Sequence, residues 1–156
     1  MQFPSCLRAF VVNVSPMQLI HHHIHDQGEL PVILLQVDRL TLAKRRWRGT
    51  AEDRVEFGFD LEHHLHDGAA FHQSDIAVYR IAQISEPVLA VHLGTDAPAA
   101  ARLGWIIGNL HFQLGVEGNS VLVPDDPALR QLFEREHIDF TLDTQVFHPL
   151  SGGHHH

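Results

Sequence analysis

Hydrophobic and polar positions change rhythm near residue 86 of this 156-residue chain. Before that point the apolar residues come in short runs or alternate with polar ones, as strands require. Val32-Ile33-Leu34-Leu35-Gln36-Val37 predicts a buried strand, and Arg54 to Leu61 alternates with period two and predicts a half-buried one. Ile76 to Ile84 predicts a third, and Asp67-Gly68 is a turn signal. Beyond residue 86 the runs alternate with helical spacing. Pro87 to Leu93 predicts a strand; Thr95 or Asp96 then caps a helix with Pro98 in its first turn. Ala100, Leu103, Ile106, Ile107 and Leu110 recur at the spacing of one helix face. Phe112 to Glu117, the Gly118-Asn119 turn and Ser120 to Val123 predict a hairpin. Asp126-Pro127 opens a second helix carrying Leu129, Leu132 and Phe133, and Ile138 to Phe147 alternates as a last strand. The order βαββαβ is the ferredoxin-like pattern. It implies two helices on one face of a four-stranded antiparallel sheet, with the other face open to solvent or a partner. The expected class is α+β: an N-terminal all-β domain over residues 17–85, a ferredoxin-like domain over 86–149 and a tail over 150–156.

Composition narrows the function. An apolar fraction of 44% is that of a globular protein, and a net charge of −8 argues against nucleic acid and anionic membrane as partners. Acidity of that size favours cations or a basic partner. The single cysteine, Cys6, cannot form an intramolecular disulfide, which fits a reducing cytoplasm. Apolar runs are too short for a transmembrane helix. The start of the chain lacks the regions of a secretory signal, and Met17 is an alternative start that would make residues 1–16 an extension. One basic run, Lys44, Arg45, Arg46 and Arg48 around Trp47, reads as a solvated loop or edge strand, with a partner-docking surface as the competing reading.

Histidine is the unusual component, at 15 residues. His21, His22, His23 and His25 form one cluster, His63, His64 and His66 another, and His154, His155 and His156 a third. The last follows Gly152-Gly153 and reads either as a short added tail or as ligands. Imidazole suits Ni(II), Cu(II) and Zn(II), whereas thiolate-rich sites favour Cu(I) and iron–sulfur centres. In an extended segment His21, His23 and His25 would share one face, about 6.5–7 Å apart, close enough for two rings to reach one ion. His64 and His66 would do the same, with His63 opposite. No zinc-finger or H-E-x-x-H spacing occurs. His111 stands alone just after Gly108 and Asn109, two residue types that tolerate positive φ and end helices. A histidine there is ordinarily a partner for the negative end of the helix dipole.

The stretch Ala101 to Leu114, ARLGWIIGNLHFQL, resembles the Y-H-L-G-N-R-H-x-x-L-Q-type segment of the urease accessory protein E family. Leu40-Thr41-Leu42 followed by the basic run is similar to that family's early L-T-L strand, and Leu65-His66-Asp67-Gly68 to its L-x-D-G turn. Val78-Tyr79-Arg80-Ile81 and Glu86 to Val91 resemble the passage into its second domain, and Phe147-His148-Pro149 its F-x-P ending. Together these cover about residues 38–156. The chain departs from the pattern at Leu110, where many members carry Arg, and at Val123 to Pro127, which holds none of the extra histidines some members have there.

The resemblance implies a nickel-binding metallochaperone that delivers Ni(II) to apo-urease during active-site assembly. It implies a homodimer in which His111 of each protomer meets at the interface, with His148, His154, His155 and His156 as further ligands; His21, His23 and His25 are candidate ligands by their spacing alone, which the family does not predict. The urease accessory G GTPase and the apo-urease assembly complex are the implied partners. Zn(II) and Cu(II) are competing ions in vitro, since intrinsic affinity places Cu(II) above Ni(II). Two other readings stand beside it: a metal-dependent hydrolase of a small substrate, and a histidine-rich storage or sensing protein. The hydrolase would need an acid or base in a pocket beside the metal, and no G-x-S-x-G nucleophile motif occurs.

Overall fold

The computed structural model describes residues 16–25 and 28–150. The N-terminal region is built from a pair of small sheets that face each other. One holds β1 (Gln18–Ile20), β4 (Glu56–Asp60) and β3 (Arg46–Thr50), in that order; the other holds β2 (Val32–Val37), β6 (Val78–Gln83) and β5 (Ala70–Gln73). Each sheet joins one parallel pair, β1 with β4 and β2 with β6, to one antiparallel pair. Alternation decides what lies between them. Leu35, Phe57, Phe59, Phe71, Tyr79 and Ile81 point inward and are buried. Phe57 meets Phe71 and Tyr79 edge to face at 5.0 Å, and Trp47 stacks on Phe59 at 3.8 Å. Large side chains of this kind each contribute roughly 1.5–3 kcal/mol when fully buried.

Leu40-Thr41-Leu42 is not a strand. It lies in a one-turn helix, α1 (Arg39–Leu42), because Asp38 accepts a hydrogen bond from the Thr41 amide at 2.8 Å and so caps the turn. Leu42 anchors that turn in the core, while Leu40 is exposed.

The C-terminal region follows the predicted order: β7 (Glu86–His92), α2 (Ala97–Asn109), β8 (Gly115–Glu117), β9 (Ser120–Pro124), α3 (Pro127–Arg135) and β10 (Thr141–Gln145). The sheet order is β10-β7-β9-β8, all antiparallel, and the fold is ferredoxin-like. Asp96 caps α2 through Ala99 and Asp126 caps α3 through Ala128. Leu103, Ile107, Leu129, Leu132 and Phe133 of the helices pack on Leu89, Val91, Val121 and Val123 of the sheet. The first hairpin strand begins at Gly115 rather than Phe112, because Phe112 and Leu114 turn inward onto this core before pairing begins.

The sheet's other face is not left open, as the pattern alone suggests. After β10 the chain turns beneath it and seats Phe147, fully buried, against Val88 and Leu122. The segment then crosses to the far edge, where the Leu150 amide donates to the Leu114 carbonyl at 2.7 Å. The same seat ties the N-terminal and C-terminal regions together. Arg39 donates to both carboxylate oxygens of Glu86 at 2.6 and 3.1 Å and to Gln113 at 2.6 Å, and lies 5.0 Å from the Phe147 ring centroid. Gln83 donates its side-chain amide to the Phe147 carbonyl at 2.9 Å. No helix among the described residues is long and apolar enough to cross a membrane.

Candidate metal centre

His111 owes its position to how α2 ends. Leu110 caps the helix at φ −84° and ψ 2°, and His111 after it is left-handed at φ 61°. Its amide donates to Gly108 at 3.0 Å, and the Phe112 amide donates to Ile107 at 3.3 Å. Those two bonds form a Schellman motif, in which the left-handed site usually holds glycine. Gly108 and Asn109, the residues expected to terminate the helix by positive φ, remain helical. The cost of a left-handed non-glycine residue is therefore borne by the histidine. Its side chain is exposed and makes no hydrogen bond with another described residue. The carbonyl end of α2 favours a cation beside it. Next to it Trp105 and Leu110 keep 68% and 46% of their surface exposed, and Trp105, Asn109 and Leu110 border a groove of about 480 Å³ shared with Gln131 and Arg135 of α3. α3 ends in the same way, with His137 at φ 54°.

The other candidates fall in separate places. His148 lies on the crossing segment, exposed, with Nε2 3.6 Å from Asp67 Oδ2. His154, His155 and His156 lie outside the described residues. His21, His23 and His25 do not share one strand face, because β1 stops at Ile20. His21 is turned away, its Nδ1 donating to the Asp60 carbonyl at 2.9 Å. His23 and His25 do approach each other, with ring centroids 5.4 Å apart. His64 and His66 are not in a strand either, because the buried Leu65 anchors an irregular segment leading into the Asp67-Gly68 turn. That turn brings His66 to the cleft lined by His23 and His25, a proximity no sequence spacing predicts. Among the described residues, no three His, Cys, Asp or Glu side chains are arranged to hold one ion. A site at His111 therefore needs donors from outside the described residues of one chain.

Residues 86–156 match the family described as UreE urease accessory protein, C-terminal domain. A protein named urease accessory protein UreE from Paracoccus denitrificans (strain Pd 1222) is 30% identical over 92 residues, which cover 59% of this chain and 56% of that protein. Another of the same name, from Bacillus sp. (strain TB-90), is 28% identical over 121 residues, covering 74% of this chain and 80% of that protein. The match thus spans little more than half the length of the Paracoccus relative. The ferredoxin-like region, where the family match falls, is similar to the C-terminal domain of the UreE urease accessory proteins.

Proposed function

We propose that the chain serves urease maturation as a nickel-binding metallochaperone, holding Ni(II) between two copies of itself and releasing it to the apo-urease assembly complex through a urease accessory G GTPase in the cytoplasm. It is an accessory protein and not an enzyme. The observation that carries the reading is His111: an exposed imidazole in a left-handed conformation at a helix carbonyl end, beside the uncovered Trp105 and Leu110. A two-fold axis through this surface would bury the apolar pair and bring one imidazole from each protomer to a common ion. Ala101, Gly104 and Gly108 flank Trp105 on α2 and let a second helix approach closely. Two nitrogens make an open site, and His148 with His154 to His156 would complete it. An open site suits a protein that must give its metal up.

The test is Ni(II) titration of the dimer with His111→Gly. Glycine removes the imidazole and suits the φ of 61°, so the fold is kept. The expected outcome is loss of the tightest Ni(II), at one ion per dimer. Unchanged affinity in the variant would remove the basis of the reading.

A further inference from the structure

We propose that His23, His25 and His66 form a second metal site, in the N-terminal region of the chain, for a borderline divalent ion. The proposal does not rest on the reading of His111. Three observations carry it. His23 and His25 already stand with ring centroids 5.4 Å apart, so small side-chain rotations bring a nitrogen of each to one ion at the roughly 2.0–2.1 Å that imidazole ligation requires. His66 faces the same cleft, of about 270 Å³. Its Nδ1 lies 2.8 Å from the Asp67 carbonyl, and because a carbonyl only accepts, Nδ1 carries the proton and Nε2 keeps a lone pair for a metal. A backbone carbonyl on the second ring nitrogen is the support that ligating histidines ordinarily have.

The backbone under these rings is fixed. The Ile24 amide, between the two N-terminal histidines, donates to the Ala70 carbonyl at 2.8 Å. On the other side the Gly68 amide donates to Ile81 at 3.0 Å and the Ala69 amide to His66 at 3.1 Å, while Gly68 takes the positive φ the turn demands. As they stand the three side chains do not surround an ion, so closure rests on rotation of the side chains over a backbone that these hydrogen bonds hold. His21 is excluded by its bond to Asp60. Arg80 also lines the cleft, with Nη1 donating to the Gly68 carbonyl at 2.9 Å. Three histidines leave the coordination open, and water or an anion supplies the remaining ligands. With three neutral nitrogens and no thiolate, its order of preference is Cu(II) over Ni(II).

The experiment uses the full chain with His111→Gly and with His148, His154, His155 and His156 each changed to Ala, which removes the donors proposed for the His111 site. Cu(II) is the probe, read by equilibrium dialysis and by nitrogen hyperfine structure in electron paramagnetic resonance. The expected result is one Cu(II) per chain with imidazole nitrogens. Adding His23→Ala and His25→Ala should abolish that equivalent, and His66→Ala alone should remove one nitrogen from the spectrum. All three side chains are exposed, so circular dichroism should show the fold unchanged. Retention of the same nitrogen-ligated copper after the His23→Ala, His25→Ala double change would overturn the proposal, as would no copper in the starting background. Neither result bears on His111, whose reading stands or falls on what His111→Gly alone does to the Ni(II) affinity of the dimer.

Discussion

Tyr79 sits buried in the N-terminal core, with its hydroxyl donating to Asp53 at 2.7 Å. Burial and that carboxylate push its pKa up to about 12 from an ordinary 10.0. The folded state therefore holds this proton more tightly than the unfolded one. Its contribution is complete below about pH 10 and is lost as pH rises toward about 12. His72 packs against Tyr79 with ring centroids 5.5 Å apart, and burial lowers its pKa. For this cationic acid the sign reverses: its contribution is complete above the ordinary imidazole range and falls away as pH drops through it. Urea unfolding from pH 5 to pH 11 should show both limbs. Tyr79→Phe should flatten the alkaline limb and leave the acid one, at a cost near neutrality of about 1 kcal/mol for the lost hydrogen bond. An alkaline limb that persists in the variant would place its origin elsewhere. At this scale the sequence singles out His111 by its place after a helix. It does not reveal that His111 is itself the left-handed residue, because Gly108 and Asn109 are chemically better suited and only the helix register decides between them. His66 comes to the cleft lined by His23 and His25 through a tertiary turn, and spacing along the chain holds no record of that.

Gly115 shows how one element depends on another. A Cβ there would come within 2.7 Å of the His148 carbonyl and 3.2 Å of the Phe147 ring. Backbone cannot yield as a side-chain tip can, so Gly115→Ala should shift the crossing segment and cost about 1–3 kcal/mol, as overpacking does. Gly94 has nothing within 4 Å of the same position, and Gly94→Ala should stay within about 0.5 kcal/mol of the parent. The urea midpoints of the two variants make the comparison, and equal midpoints would mean that the crossing segment is not packed on β8. Elements with chemical end signals are legible in the sequence. Asp96 with Pro98 and Asp126 with Pro127 mark the starts of α2 and α3, and Gly118-Asn119 marks the hairpin. β1 and β5, with 3 and 4 residues, are too short for a period to show. The α1 turn is set by one capping bond against an apolar pattern that also fits a strand. The crossing of the open sheet face follows from the seat of Phe147, which is tertiary and has no local signature.

At the scale of the whole molecule the charge is −8, and the basic run is the local exception. The structure divides that run by how its members are engaged. Arg45 donates to the carbonyls of Leu61 and Glu62, and Arg46 pairs with Asp60 at 2.7 Å, an interaction that holds the Asp60 carboxyl below its usual range. Those two help secure β3 and the segment after β4, so reversing their charge perturbs the fold as well as the surface. The side chains of Lys44 and Arg48 make no hydrogen bond or ion pair with another described residue, and Arg48 projects from β3, an edge strand of its sheet. They are the charges available to an acidic partner, and steering of this kind weakens as salt screens it. If the proposed GTPase docks here, Lys44→Glu with Arg48→Glu should weaken association and flatten its dependence on salt. Ni(II) affinity should not change, because His111 lies in the C-terminal region. Arg45→Glu, by contrast, should lower the unfolding midpoint even without a partner. Pull-down across a salt series, with metal titration on the same preparations, separates these outcomes. Association that is unchanged by the Lys44, Arg48 pair would leave the run as a solvated strand edge and send the search for the docking surface to the ferredoxin-like region.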